Sequence, residues 1–164
     1  MHTVGWLELD NFTHAEDMFT MMFRNINGPF KIFSEKPATG PDGMRATNFI
    51  TLAGGMLQAL IFGYGGIRVR PYQMDMRPQI LPNVSSWSID GFKYRNSALS
   101  FDFRPANLTV TLTRRNPGAH SLILLTHIDD GRYELTEDSP IVVVRGPVTI
   151  VTEPDEPFLT HYQS

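Results

Sequence analysis

Residues 48–62 carry Phe49, Ile50, Leu52, Ala53, Met56, Leu57, Ala59, Leu60, Ile61 and Phe62, and so are apolar on nearly every face of a helix. A helix with one apolar stripe needs one packing surface, whereas a helix with no polar face has to be surrounded. The run is too short for a membrane span, which takes about 20 apolar residues. It therefore has to sit inside an assembly of other helices. Gly54 and Gly55 each weaken it by about 1 kcal/mol relative to alanine, so close backbone approach and dense packing are expected around them.

The chain offers little helical cover for this segment. Residues 3–9 form a short apolar helix pattern that includes Trp6 and is broken by Asp10-Asn11, which can also cap the next helix. Across 13–25, the residues Ala15, Phe19, Met22 and Phe23, flanked by Phe12 and Ile26, make one stripe. Thr13 with Glu16 fits a capping box. So short a turn makes these two helices an antiparallel hairpin. Three helices, one of them apolar all round, cannot cover each other. The first 65 residues are therefore expected to be the end of a larger helical domain, with Met1 not a natural domain boundary.

A long loop, 27–47, separates the second and third helical patterns and is punctuated by Gly28, Pro29, Pro37 and Pro41. Structureless loops of this length are uncommon in compact domains unless they serve a function. It carries the string Gly28-Pro29-Phe30-Lys31-Ile32-Phe33-Ser34-Glu35. Asn48 is placed to cap the third helix.

At Gly65-Gly66 the helical period gives way to strand alternation, so the run 63–66 reads as a domain junction. Residues 67–70, 86–89, 99–103 and 108–112 alternate, while 121–128 and 141–144 read as more deeply buried strands, and 148–151 ends the series. Asp90-Gly91, Asn116-Pro117-Gly118, Asp129-Asp130-Gly131 and Arg145-Gly146-Pro147 supply turns. This spacing predicts an antiparallel β-sandwich over 66–152, followed by a flexible polar tail at 153–164. The fold class is thus α+β.

Composition narrows function mainly by exclusion. A formal net charge of −3 gives no electrostatic case for nucleic acid or an anionic membrane. The absence of cysteine removes disulfides, thiolate metal sites and a cysteine nucleophile. The histidines His2, His14, His120, His127 and His161 are scattered and form no ligand pattern, so neither a metal nor a cofactor is expected. Three glycosylation sequons, at Asn11, Asn83 and Asn107, are few enough for coincidence.

The string ending in Glu35, then Asn48-Phe49-Ile50-Thr51, then Gly54-Gly55-Met56-Leu57-Gln58-Ala59-Leu60-Ile61-Phe62-Gly63-Tyr64-Gly65-Gly66, closely resembles the C-terminal portion of glycoside hydrolase family 65. The resemblance covers about 4–103, and the rest more loosely. It implies the last helices of an (α/α)6 catalytic barrel over 1–65 and a small β-sandwich domain after it. It implies an inverting α-glycosidase acting on a glucosyl bond, with the glucosyl-galactosyl-hydroxylysine unit of collagen-like proteins as carbohydrate substrate. A trehalase-type hydrolase is the enzyme alternative, and a non-catalytic carbohydrate-binding or structural β module is the alternative from another class. Carried over by motif, Glu35 is the general base, and Phe33 and Phe30 are candidates to bind sugar. The general acid has no counterpart in this chain, which would need the upstream barrel of its parent for activity. Ile32-Phe33 stand where the family prefers Val-Trp, and Leu52-Ala53 where it prefers a glycine-containing pair.

Overall fold

The computed structural model describes residues 2–34 and 48–152. Glu35, with the rest of the 35–47 loop, and the expected flexible tail at 153–164 lie outside the described residues. The chain divides into two compact units, Met1–Gly65 and Gly66–Ser164.

The first unit opens with α1 (His2–Glu8) and α2 (Phe12–Met21). Asp10 takes a left-handed φ of 56°, and Asn11 then caps α2, its Oδ1 accepting the His14 N–H at 3.2 Å. The helix thus starts ahead of the capping box expected at Thr13 and Glu16. It also ends earlier than the apolar stripe. After Met21 the bonds shorten to i→i−3 spacing, from Met22 to Phe19, Phe23 to Thr20 and Arg24 to Met21, a tightening common at helix ends. The stripe continues through those turns into β1 (Ile26–Asn27), which pairs with β2 (Ile32–Phe33), Ile26 opposite Phe33. The start of the supposed loop is therefore a small hairpin, its turn allowed by Gly28 at φ 67° and Lys31 at φ 54°.

The third helix, α3 (Ile50–Gln58), runs into a π-helical segment, Ala59–Tyr64. Its N-cap is Phe49, without a side-chain cap; Asn48 contributes only a carbonyl, which accepts from the Ile50 N–H. Burial within the run is confined to the π-helical end, at Ala59, Gly63 and Tyr64. No residue of α3 is buried, and Ile50 is 73% exposed. The dense packing expected at Gly54-Gly55 is not there, since a Cβ at either would meet nothing within 4 Å. Close approach occurs instead at Gly63, where a Cβ would lie 3.0 Å from Leu7 Cδ1. The further helices of an (α/α)6 barrel are not among the described residues.

The second unit is all β among its described residues. One sheet has the order β10-β7-β6-β5 and the other β3-β4-β11-β8-β9, each neighbouring pair antiparallel. The first contains β5 (Trp87–Tyr94), β6 (Ser97–Phe103), β7 (Asn107–Arg115) and β10 (Ile141–Val144). The second contains β3 (Arg68–Val69), β4 (Gln73–Met76), β8 (Leu122–Thr126), β9 (Arg132–Leu135) and β11 (Val148–Thr152). The period of two puts Leu99, Phe101 and Phe103 on one face of β6, opposite Leu112, Val110 and Leu108 of β7, and all six are fully buried. Met74, Leu122, Leu124, Leu135 and Ile150 do the same for the second sheet. Trp87 stacks on Phe103 with ring centroids 4.1 Å apart, and its Nε1–H donates to the Gln79 carbonyl.

Three local readings change. Asp90-Gly91 is not a turn but a β-bulge within β5, with Gly91 at φ 69°. The true reversal is Arg95-Asn96, at φ 49° and 59°, between the paired Tyr94 and Ser97, as a two-residue hairpin with the twist of its strands requires. β10 is an edge strand, with Val142 60% exposed, rather than deeply buried. Gly66, at φ 61°, opens the second unit where a Cβ would fall 2.3 Å from the Arg77 carbonyl oxygen, so no other residue fits there.

On β4, burial alone would raise the pKa of Asp75, but hydrogen bonds from Arg70, Gln73 and Thr149 outweigh it and hold the carboxyl below the usual range. His127 Nε2 meets the Thr149 hydroxyl at 2.8 Å, so the row ties β4, β11 and the end of β8.

Phe101→Ala should destabilise the β unit by about 3–5 kcal/mol, the cost of a large core cavity. Val142→Thr should change it by under about 0.5 kcal/mol. Urea unfolding followed by Trp87 fluorescence checks both; a small effect at Phe101 would contradict the core assignment.

Candidate functional site

Three elements of the helical unit meet where the chain enters and leaves the 35–47 loop. Ser34, the residue before Glu35, is buried and donates its N–H to the Asn25 carbonyl at 3.2 Å. The Phe33 carbonyl accepts the Phe49 N–H at 2.8 Å. The entry and exit of the loop are thus pinned together by the β1–β2 hairpin and the start of α3. Glu35 itself lies outside the described residues.

The structure separates the two candidate sugar-binding aromatics. Phe30 stands in the hairpin turn and is 84% exposed. Phe33 is half-buried, its ring 6.0 Å from that of Phe23. Phe23 meets Phe19 edge-on at 5.3 Å, and Phe19 meets Tyr64 edge-on at 5.1 Å. Such pairs are worth about 0.5–1.5 kcal/mol each beyond burial. The row Phe33–Phe23–Phe19–Tyr64 therefore anchors the foot of the loop to the π-helical segment.

Tyr64 was not singled out by its sequence, in which Gly63-Tyr64-Gly65-Gly66 reads only as a junction. Its hydroxyl is buried with no hydrogen-bond partner among the described residues. Burial, with a smaller contribution from the charge of Glu16, pushes its pKa up to about 12.

Beside this row, an open cavity of about 550 Å³ lies between the helices. Met18, Met22, Phe49 and Leu52 make its apolar walls, Gly54 and Gly55 leave space on α3, and His2, Thr3, Thr51 and Gln58 are its polar members. A sugar presents hydroxyls around its ring and demands many hydrogen bonds. These walls, with two adaptable methionines, suit the side chains of packed helices better. Among the described residues no group of three or more His, Asp or Glu could hold a metal ion.

Comparison with known proteins places this geometry. No family model matches the chain. In solved structures, a protein provisionally named kojibiose phosphorylase from the human microbiome superposes on 88% of this chain and 19% of its own, with a TM-score of 0.61 at 15% identity. That likeness shows the fold alone. The sequence carries the relationship further: the chain is similar to the C-terminal portion of enzymes named as glucosidases. Protein-glucosylgalactosylhydroxylysine glucosidase of Dictyostelium discoideum is 34% identical over 131 residues, 79% of this chain. The proteins of that name from Gallus gallus and Mus musculus are 36% and 34% identical over 70% of it. The chain spans only 16–18% of the length of these relatives, and a C-terminal portion of such an enzyme fits.

Because the ionised form of Tyr64 is disfavoured by the fold, its contribution to stability should hold below pH about 10, the unfolded value, and be lost as pH rises towards about 12. A tyrosinate absorbance titration should show a late step near pH 12 that Tyr64→Phe removes. If the variant instead loses a step near pH 10, where free tyrosine titrates, the buried placement of Tyr64 is wrong.

Proposed function

We propose that this chain supplies the base-bearing end of the catalytic barrel, and the β-sandwich domain that follows it, of an inverting α-glycosidase. Its substrate would be the glucosyl-galactosyl-hydroxylysine unit of collagen-like proteins. The observation that carries this reading is the 34–36% identity to glucosidases of that name over 70–79% of the chain. The exposed apolar face of α3 supports the part about the barrel, since such a face needs helices beyond the three described. Residues 1–65 would then be the end of the barrel and 66–152 the small C-terminal domain.

Inversion requires two carboxyl groups roughly 6.5–9.5 Å apart, one protonating the leaving oxygen and one activating water on the far face of the sugar. Glu35 takes the second role in this proposal. The acid would come from the upstream barrel of the parent chain. Phe30, which is exposed, would stack on sugar, whereas Phe33 would act mainly by holding the chain just before Glu35.

In the full-length protein, Glu35→Gln should lower turnover about 10²–10⁴-fold, the usual contribution of a general base, while leaving substrate binding intact. Turnover close to that of the parent would remove Glu35 from the base role. Assay of a glucosyl-galactosyl-hydroxylysine peptide against trehalose decides the substrate: preference for the peptide is expected, and preference for trehalose would overturn that part.

A further inference from the structure

The end of the first β sheet carries a cluster of cations that no part of the glycosidase reading uses. In cross-strand register, Lys93 of β5 lies opposite Ala98 of β6, and Ala98 opposite Arg114 of β7. The three share one row across the sheet. With strands about 4.8 Å apart, the Cα atoms of Lys93 and Arg114 stand about 10 Å apart across the small alanine. This leaves a notch with a methyl floor between two long cationic side chains.

The notch belongs to a cleft of about 480 Å³ that the Arg95-Asn96 turn and Asn116 also border. The turn is held in place: the Asn116 N–H donates to the Asn96 carbonyl at 3.1 Å, and the Arg95 guanidinium donates to the Pro71 carbonyl. Both turn residues take left-handed φ, which directs this cationic corner without help from a glycine.

The charges are not neutralised. Ion pairs of this unit include Arg70 with Asp75 and Arg104 with Asp102. Among the described residues, the side chains of Lys93 and Arg114 make no hydrogen bond or ion pair, and no carboxylate borders the cleft. That is unusual placement for three cations in a chain whose formal net charge is −3.

We propose that this cleft binds an oxyanion, a phosphate, sulfate or carboxylate group, between Lys93 and Arg114, with Arg95 adding charge and Asn96 and Asn116 offering amides to neighbouring hydroxyls. Guanidinium groups match the paired oxygens of such anions, and an ammonium serves as a point charge beside them. The anion is either free or borne on a saccharide. This inference does not rest on the role of Glu35.

The test uses the 164-residue chain immobilised for surface plasmon resonance, which avoids self-association. The analytes are a sulfated tetrasaccharide and its unsulfated counterpart, with inorganic phosphate as competitor. The sulfated sugar should bind and lose affinity as salt rises. Lys93→Gln and Arg114→Gln should each weaken it about three- to fivefold, the scale of an exposed charge contact. Arg104→Gln, which removes an already paired cation, should leave it unchanged. All three side chains are exposed, and circular dichroism checks that the variants stay folded. Competition by phosphate at concentrations similar to the sugar assigns a free-anion site; competition only at far higher concentration assigns an anionic saccharide. Equal binding of the unsulfated sugar, indifference to Lys93→Gln and Arg114→Gln, or no binding of either probe would overturn the proposal.

Discussion

Removing residues 50–64 from water governs the helical unit. The π-helical end of that run has cover: Gly63 lies against Leu7, and Tyr64 against Phe19. The α-helical start has little among the described residues: Leu52, Ala53 and Met56 are only half-buried, and Ile50 and Leu57 remain in solvent. Burying such a side chain is worth about 1.5–3 kcal/mol, so every one left exposed is stabilisation not realised. A short helix has little else to hold it, because helices of this length gain most of their stability from packing. The switch to π geometry at Ala59 fits the same picture, since it accompanies the turn from an open face to a packed one. This imbalance supports the proposal that further helices belong around α3, and makes the apolar cavity beside it a packing space rather than a sugar pocket.

The β unit has no such deficit. The inner rows of β6 and β7 and of the second sheet are buried without exception at their central positions, and the bulge at Gly91 absorbs one residue without breaking the pairing of β5 with β6. Its exposed large apolar residues lie on edge strands, as Val69, Val142 and Val144 do, or in connections, as Tyr72, Val84 and Ile128 do. Charge is treated unevenly: Asp75 is fully engaged by Arg70, Gln73 and Thr149, while the side chains of Lys93 and Arg114 stand unpaired among the described residues.

Legibility in the sequence followed signal length. The alternation across 97–103 and 107–115 is long, and those strands read clearly. Two-residue strands such as β1 and β2 carry no period, so the hairpin at the foot of the loop was hidden. Asp90-Gly91 looked like a turn because aspartate with glycine marks a left-handed φ; a bulge needs the same φ, and only pairing partners distinguish them. Arg95-Asn96 was missed because an arginine rarely signals a left-handed turn. Gly54 and Gly55 suggested close approach, but the neighbours that would approach are not among the described residues. For the site, Phe30 and Phe33 look alike in sequence, and only the neighbouring rings separate an exposed face from an anchor. The proposed base role of Glu35 rests on motif resemblance alone, since a lone carboxylate in a sequence is by itself an ordinary surface group.

The central claim is that the apolar face of α3 is made to be covered by helices of a longer chain. Amide hydrogen exchange across 50–64 tests it most directly, measured in the 164-residue chain and in the full-length protein. In the short chain, the α3 amides should exchange fast while those of β6 and β7 are protected; in the full-length protein, α3 should gain protection by several orders of magnitude. Equal protection of α3 in both would contradict the account, because the helix would then need no cover beyond what these 164 residues provide.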